Sequence, residues 1–438
     1  MIDHTHDATR RSWVQEANGH PEFPIQNLPM GVLDEGDGRI VVAIGDHVLD
    51  VQAALKLGHL DSLSPVAQKV LQSSLLNAWM AVDSTTRREI RHALFALLEE
   101  GSAAQQDAAH LLKAQRTSAM ALPAHIGDYT DFYCGIHHAK KAGALFRPHQ
   151  PLLANYKHLP IAYHGRSSSI QVSGQAVRRP KGQIATPQGP KLDLSARVDF
   201  ELELGIWVGP GNQQGQSISI EEAPEHIVGY SLFNDWSARD IQAWEYQPLG
   251  PFQGKNFAST LSPWIVTADA MTPFRRAAMT RDAEDPALLD YLYHQPDQAQ
   301  GGLDIHLQVH VSTAQMRQQQ MPEHTLAHSH TQHLYWTPAQ MVAQHTLGGC
   351  NLRAGDLLAT GTISTPDHSG DGSLLERTEG GANPVSLPSG EQRSFLADED
   401  EITLTAHCAR DDLYRIGFGE CRARILAHDA PYTTLKKQ

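Results

Sequence analysis

The sequence predicts a mainly β protein with added helices: a small helix-bearing N-terminal domain over residues 1–123, then a large β domain over residues 124–438. Three observations carry this reading. Several segments beyond Pro123 alternate apolar and polar residues with period two, which puts one strand face in a core. Gly and Pro clusters punctuate them (Gly209-Pro-Gly-Asn212, Pro248-Leu-Gly-Pro251, Gly348-Gly349), as turns do in a mostly antiparallel domain. Residues 50–118, by contrast, read as helical.

The elements follow in order. Arg39–Gly45 reads as a buried strand. Thr86 and Glu89 stand at capping-box spacing, so a helix is expected to begin at Thr86. Ile90, Ala93, Leu94, Leu97 and Leu98 form its apolar stripe, and Gly101 is its expected stop. Val198, Phe200, Leu202, Leu204, Ile206 and Val208 mark one face of a single strand. Leu303, Ile305, Leu307, Val309 and Val311 mark another, and Ile402–Thr405 and Arg415–Ile425 read as closing strands. A short helix is expected over Thr337–His345.

Composition bounds the function. The 438 residues, 41% hydrophobic and 19% charged, suit a globular chain of two or three domains with a sizeable core. A formal net charge of -14 argues against nucleic acid and anionic membrane as main partners, since both require a basic footprint. Cys134, Cys350, Cys408 and Cys421 are dispersed and form no C-x-x-C pair, as reduced cytosolic thiols do. The polar start lacks the basic and apolar regions of a signal peptide, and no apolar run approaches the roughly 20 residues of a membrane helix. A cytoplasmic protein is expected.

The residues able to carry chemistry are acids. Glu201 and Glu203 fall on the strand face opposite the apolar set, two residues and therefore roughly 6.6 Å apart along the strand. An E-x-E pair most often marks a solvated face; here Trp207 shares that face. Asp235 ends the apolar run Ile227–Phe233 at a strand-to-helix junction, where a carboxylate usually caps free N–H groups. Asp128 and Asp131 read alone as caps or Asx turns. Taken together they are hard oxygen donors, suited to Mg²⁺, Ca²⁺ or Mn²⁺.

Longer blocks carry a resemblance. Asp128-Tyr-Thr-Asp-Phe-Tyr133, Tyr163-His-Gly-Arg-Ser-Ser168, Glu201-Leu-Glu203, Asn234-Asp-Trp-Ser-Ala-Arg-Asp-Ile-Gln242, Trp244-Glu-Tyr246, Gly254-Lys255 and Gly361-Thr-Ile-Ser364 are similar to motifs of the fumarylacetoacetate hydrolase family. The likeness is densest over residues 125–430. It implies a small SH3-like N-terminal domain with helices followed by a mixed β-sandwich roll. It also implies a homodimer and hydrolysis of 4-fumarylacetoacetate to fumarate and acetoacetate, the last step of tyrosine and phenylalanine catabolism. By the same resemblance Asp131, Glu201, Glu203 and Asp235 are metal ligands, with Lys255 and Ser259 at a further cation position, and Asp128 is structural. Threonine is usual in the family where Ser259 stands. His138 is implied as general base with Glu376 as its partner, in a register fixed by Ala139, Gly143 and Arg147 although His137 adjoins it. Arg239, Gln242 and Lys255 are implied as oxyanion donors, and Tyr133, Arg147, Tyr163, Gln242, Tyr246 and Thr362 as substrate contacts.

Two other readings compete. One is a different enzyme of the same superfamily, an acylpyruvate or other diketone acid hydrolase or a decarboxylase. The other is a β-rich Ca²⁺-binding structural protein, against which the Arg, Lys, Gln and His gathered in the motifs speak.

Overall fold

The computed structural model describes residues 2–410 and 413–430. Residues 431–438, the end of the expected catalytic domain, lie outside the described residues.

The N-terminal region is a four-stranded antiparallel sheet in chain order: β1 Met30–Leu33, β2 Arg39–Ile44, β3 His47–Asp50 and β4 Leu112–Ala114. Helices α1 Val51–Lys56, α2 Pro65–Leu71, α3 Asn77–Ala81, α4 Ser84–Leu98 and α5 Ala108–Leu111 fill the connection between β3 and β4. The helix expected at Thr86 begins two residues earlier. Asp83 is its cap and accepts from the Thr86 N–H at 2.8 Å. Glu89 does not close a capping box. Its carboxylate instead accepts from the Ser64 N–H and hydroxyl, 2.6 and 2.8 Å away, and so ties α4 to the start of α2. With the cap at Asp83, Thr86 already lies inside the helix and Glu89 is free to take a tertiary partner. α4 gives way to extended backbone at Glu99, two residues before Gly101.

The larger region holds two main sheets. The first is ordered β6 Ala162–His164, β5 Tyr129–Phe132, the strand Leu357–Ala359, β12 Leu202–Val208, β13 Ile227–Asp235, β15 Ser259–Leu261 and β7 Ile170–Val172, with β16 Val266–Thr267 also on β13. Two of its pairings are parallel, β5 with Leu357–Ala359 and β15 with β7. The second sheet runs His324–His330, His306–Ser312, Glu401–Ala409, Arg415–Leu426 and β8 Val177–Arg178. Hairpin β9 Lys181–Ile184 with β10 Lys191–Leu194 stands apart.

The strand expected over 198–208 is broken. β11 Val198–Asp199 pairs with β14 Ser237–Ala238, and β12 starts only at Leu202. Both faces of β12 are buried. Leu202, Leu204, Ile206 and Val208 pack with Leu307, Val309, Val311 and Ile402 of the second sheet. Trp207, on the other face, joins a core built mostly from the N-terminal region, with Phe233, Leu261, Ile265 and Leu357. A bridge between Met30 and Ile265 ties the two regions by backbone as well.

The segment before β1 lies on the last strand, where the Gly417 N–H donates to the Glu22 carbonyl at 2.8 Å. Burial, then the nearby Glu420, push the Glu22 carboxyl from 4.5 up to about 7, against the pull of Arg415. The folded chain therefore binds this proton more tightly than the unfolded chain. Stability from this group is complete below about pH 4.5 and declines as pH rises toward about 7. Glu22→Gln is expected to raise Tm more at about pH 8 than at about pH 5; equal shifts in thermal melts at the two values would refute it.

Candidate active site

One end of the first sheet opens into a cavity of about 490 Å³. All the sequence-predicted site residues line it except Glu376, Asp235 and Ser259. Glu376 stands behind His138, while Asp235 and Ser259 line an adjoining cavity of about 220 Å³ that shares Tyr163 and Lys255.

The acids come from three strands of the first sheet, with Leu357–Ala359 lying between β5 and β12. Asp131 lies in β5, Glu203 lies in β12, and Asp235 ends β13. Carboxylate oxygens of these three lie within 4.8 Å of one another, and all three residues are buried. Asp235 is no helix cap, contrary to the first reading of its position: Ala238 holds that place in α7 Arg239–Glu245, without a side-chain bond. Asp235 instead accepts from Lys255 Nζ at 2.6 Å, from the Ser259 hydroxyl at 2.9 Å and from the Tyr163 hydroxyl at 3.3 Å. Glu201 is buried beside the trio but turned aside, bound to Lys255 and to Arg239 Nη1, the latter at 2.8 Å. Asp128 does not approach them. It is exposed on the surface, 3.8 Å from Arg353, just before β5 begins.

The charges in this cluster are unbalanced. Burial, followed by the other carboxylates, drives Asp131 and Glu203 well above the ordinary carboxyl range. Glu201 goes the other way: burial would raise it, and Lys255 and Arg239 more than reverse that. Asp131 Oδ1 and Glu203 Oε1 are buried acceptors with no hydrogen-bond donor. Such atoms cost roughly 1–3 kcal/mol each when unmet. A hard divalent cation fits this donor set, since it would satisfy the bare oxygens and offset the repulsion.

Beside the acids, α6 Ile136–Phe146 carries His138 inward. Gly135 permits this approach: a Cβ there would sit 2.0 Å from the Thr362 carbonyl oxygen. His138 Nδ1 is 2.7 Å from Glu376 Oε2, and its Nε2 is 3.9 Å from Glu201. Glu376 is buried and also accepts from the hydroxyls of Ser364 and Ser373 at 3.0 and 2.8 Å. Burial alone would raise Glu376, but His138 and these donors hold it below its ordinary value. His137 points elsewhere, its ring 5.2 Å from that of His333. Burial, then His333 and two lysines, lower it to about 4.

Donors face the same space. Arg239 Nη2 and Arg147 Nε are buried and without partners. Gln242 accepts from Arg239 Nη1 at 3.2 Å, leaving its amide N–H groups uncommitted to that contact. Gly361, at φ 74° where only glycine is unstrained, donates its N–H to Glu203 at 3.0 Å and turns the chain so that Thr362 follows into the cavity. Cys134 is buried, and burial followed by Asp131 and Glu203 pushes its thiol well up, so it is no nucleophile.

The sequence reading missed the apolar wall of Phe146, Leu153, Ile161 and Leu249, which comes from helix end and loops with no periodic pattern. It also missed Asp199, Ser364 and Ser373. Asp199 had a signal, because it shares strand parity with Glu201 and Glu203.

A buried acid trio with bare oxygens suited to a divalent cation, a carboxylate-held histidine and two guanidinium groups, each with one unpartnered nitrogen, define a hydrolytic enzyme. Residues 26–123 match the family model described as fumarylacetoacetase N-terminal, and residues 128–426 the one described as fumarylacetoacetate (FAA) hydrolase C-terminal. The chain belongs to the fumarylacetoacetate hydrolase family. It is 43% identical over 423 residues to fumarylacetoacetase of Rattus norvegicus, covering 94% of this chain and 97% of that one. It is 44% identical over 418 residues to fumarylacetoacetase of Homo sapiens, covering 92% and 96%. A solved fumarylacetoacetate hydrolase from Exiguobacterium antarcticum shares the fold at TM-score 0.50 and 16% identity, over 91% of this chain and 99% of that one.

Proposed function

We propose that this enzyme cleaves 4-fumarylacetoacetate with water to give fumarate and acetoacetate. The observation that carries the reading is the convergence of the His138–Glu376 pair, the free Arg239 donor and the buried acid trio at two adjoining cavities, in a chain so similar to fumarylacetoacetases along its length. Asp131, Glu201, Glu203 and Asp235 would hold a divalent cation, Mg²⁺, Ca²⁺ or Mn²⁺, which would supply Lewis-acid polarisation of the substrate's oxygens.

The chain's own groups do the rest. Glu376 accepts a hydrogen bond from the Nδ1–H of His138 and so leaves Nε2 to accept a proton from water. The water oxygen bonds to the ketone carbon of the fumaryl group, which becomes the new carboxyl carbon of fumarate. Arg239 Nη2, Gln242 and Lys255 stand as donors for the oxyanion that forms, each worth about 3–4 kcal/mol. The carbon–carbon bond then breaks, its electron pair leaves with acetoacetate, and the proton on Nε2 goes to that fragment. Tyr133, Tyr163, Tyr246 and Thr362 shape the pocket, and Arg147 meets a substrate carboxylate through its fork.

The domains divide at 123/124, and Lys255 with Ser259 serves a second cation. The enzyme is a cytoplasmic homodimer that closes the breakdown of tyrosine and phenylalanine. Among the described residues no helix is long and apolar enough to cross a membrane. The decisive assay follows loss of the ultraviolet absorbance of fumarylacetoacetate with and without Mg²⁺. No metal-dependent turnover of this substrate, with turnover of an acylpyruvate instead, would favour another activity of the superfamily. Arg147→Lys keeps the charge but loses the bidentate fork, so KM is expected to rise about tenfold or more with kcat less affected. Wild-type kinetics would remove Arg147 from substrate recognition.

A further inference from the structure

We propose that Asp199 is a positioning residue for this reaction, a single carboxylate that sets Arg239 and Glu376 relative to one another. The inference rests on the roles given above to those two residues. Asp199 is fully buried and sits at the break between β11 and β12. Its Oδ1 accepts from the N–H groups of Phe200 and Leu374 at 2.9 and 2.7 Å. Its Oδ2 accepts from Arg239 Nε and the Leu375 N–H, each at 2.9 Å. Four donors thus meet the roughly four lone-pair sites of one carboxylate.

On one side, this holds the guanidinium by its Nε edge. Glu201 and Gln242 take Nη1, and Nη2 is the nitrogen left free toward the cavity. On the other side, Leu374 and Leu375 open the short helix Leu374–Arg377, whose first N–H groups have no partner within the helix. The next residue, Glu376, reaches His138. The group that meets the oxyanion and the group that orients the base are therefore both fastened to Asp199.

An amide cannot replace it. In Asp199→Asn one oxygen remains, and whichever way the amide turns, its NH₂ faces two donors: Phe200 and Leu374, or Arg239 and Leu375. The charge opposite Arg239 is lost as well. Asp199 lies outside the cavity lining. Its loss is expected to lower kcat by about 10–100-fold, the scale of an ångström's misplacement of reacting groups, with KM within about threefold.

The test is steady-state kinetics and thermal melts of Asp199→Asn, Asp199→Glu, Arg239→Lys, Glu376→Gln and the double variant Asp199→Asn/Arg239→Lys. Coupled residues give a double variant only about as slow as the slower single, whereas independent effects multiply. Asp199→Glu keeps the charge and displaces it by one methylene, so it answers the question if the asparagine variant does not fold; it too is expected to lose kcat at near-constant KM. Wild-type kcat in a folded Asp199 variant, a change confined to KM, or multiplicative effects would overturn the proposal. Wild-type rates in Arg239→Lys and Glu376→Gln would instead overturn the reading of the site on which it rests.

Discussion

His138→Ala is expected to lower kcat by roughly 10²–10⁴, the usual range for a lost general base, while His137→Ala stays within about twofold. The two residues are neighbours in sequence and differ only in where α6 aims them. His138 is buried against Glu376, with Nε2 on the cavity side toward Glu201. His137 is half-buried against His333 and two lysines. Glu376→Gln should also lower kcat, because the imidazole loses both its orienting acceptor and the charge that stabilises the imidazolium. Steady-state assays of the three variants decide this. A dead His137→Ala beside an active His138→Ala would reverse the assignment.

Exhaustive chelation is expected to abolish turnover, and added Mg²⁺ or Mn²⁺ to restore it. Three buried carboxylates with two bare oxygens are poorly matched to an empty centre, and Lys255 alone contacts only one of them. A cation bound to the folded chain alone also stabilises it, by about 2.7 kcal/mol at a hundred times Kd. Tm should therefore rise with Mg²⁺, and this gives a readout independent of catalysis. Asp235→Asn and Glu201→Gln remove charge from the centre, so both should weaken Mn²⁺ binding measured by electron paramagnetic resonance. Full activity in a verified metal-free sample would sink the idea.

Much of this was legible along the chain, and the failures have physical causes. The strands at 306–312, 401–409 and 415–426 follow from period-two apolar patterns, because their packing depends on which face is apolar, and the strand at 39–44 follows from a continuous apolar run buried on both faces. The motif resemblance gathered Asp131, Glu203 and Asp235 before any geometry was known. Tertiary hydrogen bonding was not legible. With the cap at Asp83, Glu89 took a partner 25 residues away. The break at 200–201 was equally hidden, since Asp199 and Glu201 keep strand parity through it. Asp235 looked like a cap because local sequence cannot reveal Lys255, Ser259 and Tyr163 arriving from elsewhere.

The apolar layer that Trp207, Phe233 and Leu261 share with the N-terminal region has a consequence for inherited damage. Two of those side chains belong to β12 and β13, the strands that carry Glu203 and Asp235. Trimming Phe95 or Leu94 of α4, which belong to the same core, costs roughly 2–5 kcal/mol. Marginal proteins lose abundance several-fold for less. Lesions in the first hundred residues therefore do harm without touching a single reacting group. They drain the supply of folded enzyme.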